Sequence, residues 1–185
     1  QPDVPMEQYL LPMALCADAE VRDGGLVGDP TEGALVVLAA KGGVDPALTR
    51  ERYPRVATLP FDAAYKMMAT FHRMDNAGGK PVIRCFVKGA PDVLIARGGS
   101  YWLPGGEEMP VTDDNRALAL QENERMAKEG ERVMVVARRD FDPGSFDAKS
   151  DLISQVNGLT LLAMVGIVDP PRPEARDAIR LCRKA

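Results

Sequence analysis

The chain is 185 residues long, with a formal net charge of −4, an apolar share of 45% and a charged share of 27%. That length suits one globular domain with a real core, and the acidic balance argues against general nucleic-acid binding while leaving room for a local cationic pocket. His72 is the only histidine and no CxxC spacing joins Cys16, Cys85 and Cys182, so a Cys/His metal centre is disfavoured and the cysteines read as reduced, buried thiols of a cytosolic protein.

In chain order, residues 6–20 have a helical pattern, with Pro12 either kinking the helix or marking its start. Asp23, Gly24 and Gly25 form a turn between short extended pieces. A second helix starts in GDPTEGAL: Asp29 is the N-cap, Pro30 suits the first helical position, and Glu32 lies three residues after the cap, as in a capping box. Gly42 and Gly43 stop it, and residues 45–53 form a further short helix opened by Pro46. Residues 55–61 read as a strand. Residues 66–74 and 81–88 read as two more, joined by the turn-rich loop 75–79.

A short helix over 90–96 is stopped by Gly98 and Gly99, and a Gly-Gly turn interrupts 101–110. Thr112 starts a long polar helix with Asp113 and Asp114 in its first turn, ending near Gly130. Residues 132–139 and 159–168 are strands. Asp169, Pro170 and Pro171 break the last one, and a helix is predicted over 172–184. Helices mixed with a hairpin core give an α+β class, with a twisted, mainly antiparallel sheet flanked by helices. No signal peptide is expected at the start. The longest apolar run, 159–168, falls short of the roughly 20 residues that cross a bilayer, so no direct membrane contact is expected.

A symmetric five-residue loop over 75–79 sets Met74 opposite Lys80, Met68 opposite Phe86 and Lys66 opposite Lys88. Two lysines facing each other on one sheet face repel. Either an anion such as phosphate lies between them, or both side chains diverge into solvent. Other candidates also have plain readings when taken singly. Glu32 serves as a capping residue, Phe61 as a core aromatic and Arg132 as a solvated charge at a strand start. The chain contains no Walker-type GxxxxGK(S/T) loop, no GxGxxG after a strand, no GxSxG elbow and no kinase signature.

In order, GDPTEGAL (28–35), PFDAAYKMM (60–68), FVKGAPDVL (86–94), ERVMVVARRD (131–140) and VGIVDPPRPEARDAI (165–179) resemble the nucleotide-binding domain of P-type cation-transporting ATPases, type II, the branch of calcium and sodium/potassium pumps. The likeness covers nearly the whole chain. It implies an ATP site in which Glu32 bonds the adenine amino edge, Phe61 stacks on the ring, and Lys66 and Lys88 line the pocket. It further implies that Arg132 reaches the phosphates, that Met68 and Met134 supply apolar wall, and that Gly89 lets the backbone approach the ligand. Where some family members carry a polar or basic residue two positions after the stacking Phe, this chain has Ala63, which removes one ligand contact.

The DKTGT, GDGxND and TGES motifs of the family do not occur in the chain. The expectation is therefore an excised, monomeric domain, 1–168, followed by a hinge (Asp169, Pro170, Pro171, Arg172) and the start of a returning phosphorylation domain, 169–185. The resemblance implies a place on the cytoplasmic side of a membrane, with the parent's phosphorylation and actuator domains as partners. It implies ATP as ligand, as Mg-ATP in the intact pump, with magnesium held mainly outside this chain, and no catalytic residue of its own. Calcium is the expected ion. The rival readings are a structural or interaction domain of the same fold with degenerate nucleotide binding, and a free-standing hydrolase, for which no nucleophile with a partnered base is apparent.

Overall fold

A computed structural model describes residues 6–168 and residue 182. The chain runs α1 (Glu7–Leu15), β1 (Glu20–Arg22), β2 (Gly25–Val27), α2 (Pro30–Lys41), α3 (Pro46–Arg52), β3 (Arg55–Asp62), β4 (Met67–Asp75), β5 (Pro81–Gly89), α4 (Pro91–Ala96), β6 (Gly98–Trp102), β7 (Glu108–Pro110), α5 (Asp113–Lys128), β8 (Arg132–Phe141), α6 (Leu152–Gln155) and β9 (Leu159–Ile167). β1 and β2 form a small hairpin, while the main sheet has the order β3-β4-β5-β8-β9-β6-β7. Among the described residues, the β6–β9 pairing is the one parallel pairing in it. The α+β, mainly antiparallel expectation holds. Cys16 and Cys85 are buried as expected, and burial pushes both thiols up from their ordinary range, whereas Cys182 is exposed, which corrects the reading of three buried thiols. The predicted hinge residues Asp169, Pro170, Pro171 and Arg172 lie outside the described residues, as does most of the predicted helix 172–184.

Helix starts follow local chemistry. Asp29 and Asp45 each accept two N–H bonds from the first turn that follows, with Pro30 and Pro46 already set for helical φ. Thr112 and Asn115 close a reciprocal capping box at α5. α1 carries Pro12 inside it and ends at Leu15, earlier than the predicted residue 20, because the backbone of the next residues bonds to side chains instead. Gly98 does not merely stop α4. It opens β6, where a Cβ would meet the Leu161 side chain at 2.7 Å.

β5 is the sheet's innermost strand by burial, with every residue from Val82 to Gly89 buried. The period of two sorts its side chains. Met68, Met74, Val82, Phe86 and Val136 pack beneath α1 and α2, and Met67, Phe71, Cys85, Val87 and Val135 pack on the α4 side. The central pair is fastened by Arg84 of β5, 5% exposed, which makes two bonds of 2.6 and 2.7 Å to the Asp140 carboxylate opposite it on β8.

His72 is buried and neutral. Its Nδ1–H donates to the Tyr53 carbonyl at 2.8 Å, which leaves Nε2 to accept from the Thr70 hydroxyl at 2.9 Å. Burial, reinforced by Arg55 and Arg50 against the opposing pull of the Tyr53 carbonyl, holds the imidazole down to about 4 from 6.5. Between these values the unfolded chain takes up a proton that the folded chain refuses, so stability falls as pH drops from 6.5 towards 4. Denaturant midpoints should show the native chain losing about 2–3 kcal/mol more than His72→Gln between pH 7 and pH 4.5.

Candidate functional site

Antiparallel pairing places the ends of β3 and β5 and the start of β8 at one edge of the main sheet. The N-terminus of α2 covers that edge and encloses a cleft of about 480 Å³. Glu32, Phe61, Lys66, Lys88, Gly89, Arg132 and Met134 line it, together with Asp29, Thr31, Ala90 and Val133. All the predicted ATP-site residues except Met68 are thus brought to one place from four separate stretches. Met68 is 2% exposed and packs in the core on the α1 side, where it cannot serve as a wall.

The hairpin register differs from the symmetric expectation. Asp75 pairs with Pro81, so the loop is 76–80, and Met68 rather than Lys66 faces Lys88. The Asn76 side chain explains the shift: its Oδ1 accepts from Gly78 N and Lys80 N at 2.9 and 3.0 Å and closes the loop around itself. Lys66 and Lys88 are therefore not opposed on the sheet, and neither alternative, an anion between them or diverging side chains, is needed to explain their pairing. Lys66 precedes β4 in a left-handed backbone conformation (φ 49°), and its ammonium lies 3.3 Å from Asp92, both side chains more than half exposed.

Lys88 is different. The alternation of β5 turns its side chain towards α1 and α2, where it is 4% exposed. Its ammonium donates to Glu32 Oε1 and to the Cys16 carbonyl, each at 2.5 Å. Glu32 does not close a capping box with Asp29. Its Oε2 accepts instead from the N–H groups of Asp18 and Ala19 at 2.8 and 2.9 Å. The two charges form a largely buried pair at the floor of the cleft, the ammonium 4% and the carboxylate 15% exposed. A planar polar ligand edge arriving there would meet a carboxylate whose orientation is already set.

Phe61 is 63% exposed at the rim, a poor position for a core aromatic and a good one for a stacking face. Arg132 is exposed on the opposite side, with its guanidinium donating to Thr31 Oγ1 at 2.9 Å. Asp29 is occupied by its cap bonds to Thr31 N and Glu32 N. Ala63 and Ala64 are exposed in the turn between β3 and β4. Thr31, Ala90 and Val133 each adjoin a predicted residue in sequence, and Asp29 lies three before Glu32 as the cap of the same helix; that proximity was the signal that could have found them.

Gly89 is needed for packing. A Cβ there would meet Lys66 O at 2.6 Å and the Met67 Cβ and Cα at 2.7 and 2.9 Å. The glycine lets β5 close on the start of β4, a packing role beside the one the resemblance implies. Gly89→Ala should cost about 1–3 kcal/mol in chemical denaturation and distort the cleft mouth.

With these residues assembled around one cleft, the sequence also matches the P-type ATPase, cytoplasmic domain N family over residues 5–174. The chain belongs to that family. It is 37% identical to a calcium-transporting ATPase of Bacillus subtilis (strain 168) over 185 aligned residues, 98% of this chain and 20% of that protein. It is 35% identical to the cation-transporting ATPase pma1 of Synechocystis over 97% of this chain and 19% of that protein. It is also 35% identical to calcium-transporting ATPase type 2C member 1 of Mus musculus over 89% of this chain and 16% of that protein. The chain thus spans about a fifth of the length of these relatives. Among the described residues of this domain N, no helix is long and apolar enough to cross a membrane.

Proposed function

We propose that this domain N binds ATP in the cleft between α2 and the ends of β3, β5 and β8. The observation that carries the reading is the joint placement of an exposed aromatic face, a buried carboxylate–ammonium pair and an exposed guanidinium around one opening. Phe61 stacks on the adenine, Glu32 accepts from its amino edge beside Lys88, and Lys66 and Arg132 attract the phosphates. Met134 supplies the apolar wall and Gly89 the closely packed cleft mouth. The domain comprises residues 1–168, with 169–185 as hinge and return into a phosphorylation domain.

On this reading the adenosine end is held here, and the triphosphate tail points out of the cleft towards an aspartate on a partner domain of the parent chain. Energy from binding the remote adenosine is used to position the γ-phosphate. The parent is a P-type cation pump, with calcium as the ion favoured by the names of the relatives. This domain sits on the cytoplasmic side of the membrane, moving against the phosphorylation and actuator domains at the joint 169–172. The donors facing the phosphate side are cationic and Asp29 is engaged as a cap, so magnesium would be held chiefly by the phosphates and the phosphorylation domain.

Calorimetric titration of the 185-residue chain with ATP, with and without a magnesium chelator, tests this division. Binding with similar affinity in both conditions is expected. Binding that vanishes on chelation would contradict it, and no binding at millimolar ATP would favour the rival reading of a domain with degenerate nucleotide binding.

A further inference from the structure

We propose that Arg50 and Arg55, which do not line the cleft, are positioning residues that act on Glu32 through the backbone of residues 14–19; the inference rests on the ATP reading above. Cys16, Ala17 and Ala19 are at most 1% exposed, yet the stretch between α1 and β1 has neither helix nor sheet to satisfy its backbone. Buried carbonyl and N–H groups require partners.

On one side the partners are guanidinium groups. Arg50 Nε donates to the Ala14 carbonyl, and its Nη2 donates to those of Ala17 and Ala19, all at 3.0 Å. Arg55 Nη2 donates to the carbonyls of Leu15 and Ala17 at 3.2 and 3.1 Å, and its Nη1 to Asp18 Oδ1 at 2.7 Å. The carboxylates of Asp18 and Glu20 offset the two like charges.

On the other side the same backbone faces the cleft floor. The Asp18 and Ala19 N–H groups fix Glu32 Oε2, and the Cys16 carbonyl holds the ammonium of Lys88. Turning either peptide plane away would remove an N–H from Glu32. The Ala17 carbonyl, held by both guanidiniums, fixes the plane that carries the Asp18 N–H, and the bonds to the Ala19 carbonyl and the Asp18 carboxylate bracket the plane that carries the Ala19 N–H; a lysine, with its compact point charge, reproduces neither fork.

The test compares the native chain with Arg50→Lys and Arg55→Lys, each titrated with ATP and with purine riboside triphosphate, which lacks the amino group that Glu32 accepts from. Two readouts are used: nucleotide affinity, and amide hydrogen exchange of Asp18 and Ala19 without nucleotide. Each lysine variant should weaken ATP binding about 3- to 10-fold and binding of the amino-free nucleotide by less than about 2-fold. Exchange at the two amides should speed about tenfold. Unchanged affinity and exchange in folded variants would overturn the proposal. So would an equal loss for both nucleotides, which marks a general effect on the fold. Should Arg50→Lys fail to fold, Arg55→Lys and the exchange rates decide. If the native chain does not bind ATP, the ATP reading fails by itself, and the exchange rates still report whether the arginines hold this segment.

Discussion

Lys88→Ala is expected to destabilise the domain by about 3–5 kcal/mol and to abolish measurable ATP binding. Were Lys88 a solvated pocket lysine, its loss would weaken binding and leave the fold intact. Its burial changes the forecast. Removing the ammonium leaves the Glu32 carboxylate, 15% exposed, and the buried Cys16 carbonyl without their shared donor. An uncompensated charge at such a site costs far more than the net value of the pair. The double variant Lys88→Met/Glu32→Gln should recover part of the stability, since no charge is stranded, while ATP binding stays lost. Denaturant midpoints together with ATP titrations measure both effects. A Lys88→Ala midpoint equal to the native one would refute the buried-pair account.

Phe61→Ala is expected to do the opposite: weaken ATP binding by about 1–3 kcal/mol, the usual value of a base stacked on an aromatic, with stability almost unchanged. The ring is 63% exposed and has little packing to lose. Leucine, which is apolar but offers no planar face, should bind almost as weakly as alanine. Leucine with native affinity would show that Phe61 supplies only apolar area. Loss of stability in Phe61→Ala would place the ring in the core instead.

Much of the fold could be read from the sequence because its signals are local. The caps at Asp29, Asp45 and Thr112, the prolines at the first helical positions and the turn-rich loop between the apolar runs of β4 and β5 locate elements within a few residues. The hairpin register was misread by one residue at each end because a side chain, Asn76 Oδ1, closes the loop. α6 was missed: it spans only Leu152–Gln155, too short for any periodicity. At the site, residue types were legible through the family likeness, but their partners were not. Glu32 bonds to backbone N–H groups and Lys88 to a backbone carbonyl, and backbone groups are the same for every residue type. The family likeness implied Met68 as pocket wall, whereas the pleat directs it into the core. The roles of Arg50 and Arg55 had no sequence signal, since they bond to carbonyls more than 30 positions away.

The most direct test of the ATP site is a nuclear magnetic resonance titration of the isotopically labelled 185-residue chain with ATP, read residue by residue. Saturable shifts are expected at Thr31, Glu32, Phe61, Lys66, Lys88, Gly89, Ala90 and Arg132 to Met134, with the far edge of the sheet at β7 unchanged. A folded spectrum in which millimolar ATP leaves these residues unmoved, or moves a different surface, would contradict the assignment of the cleft as the ATP site.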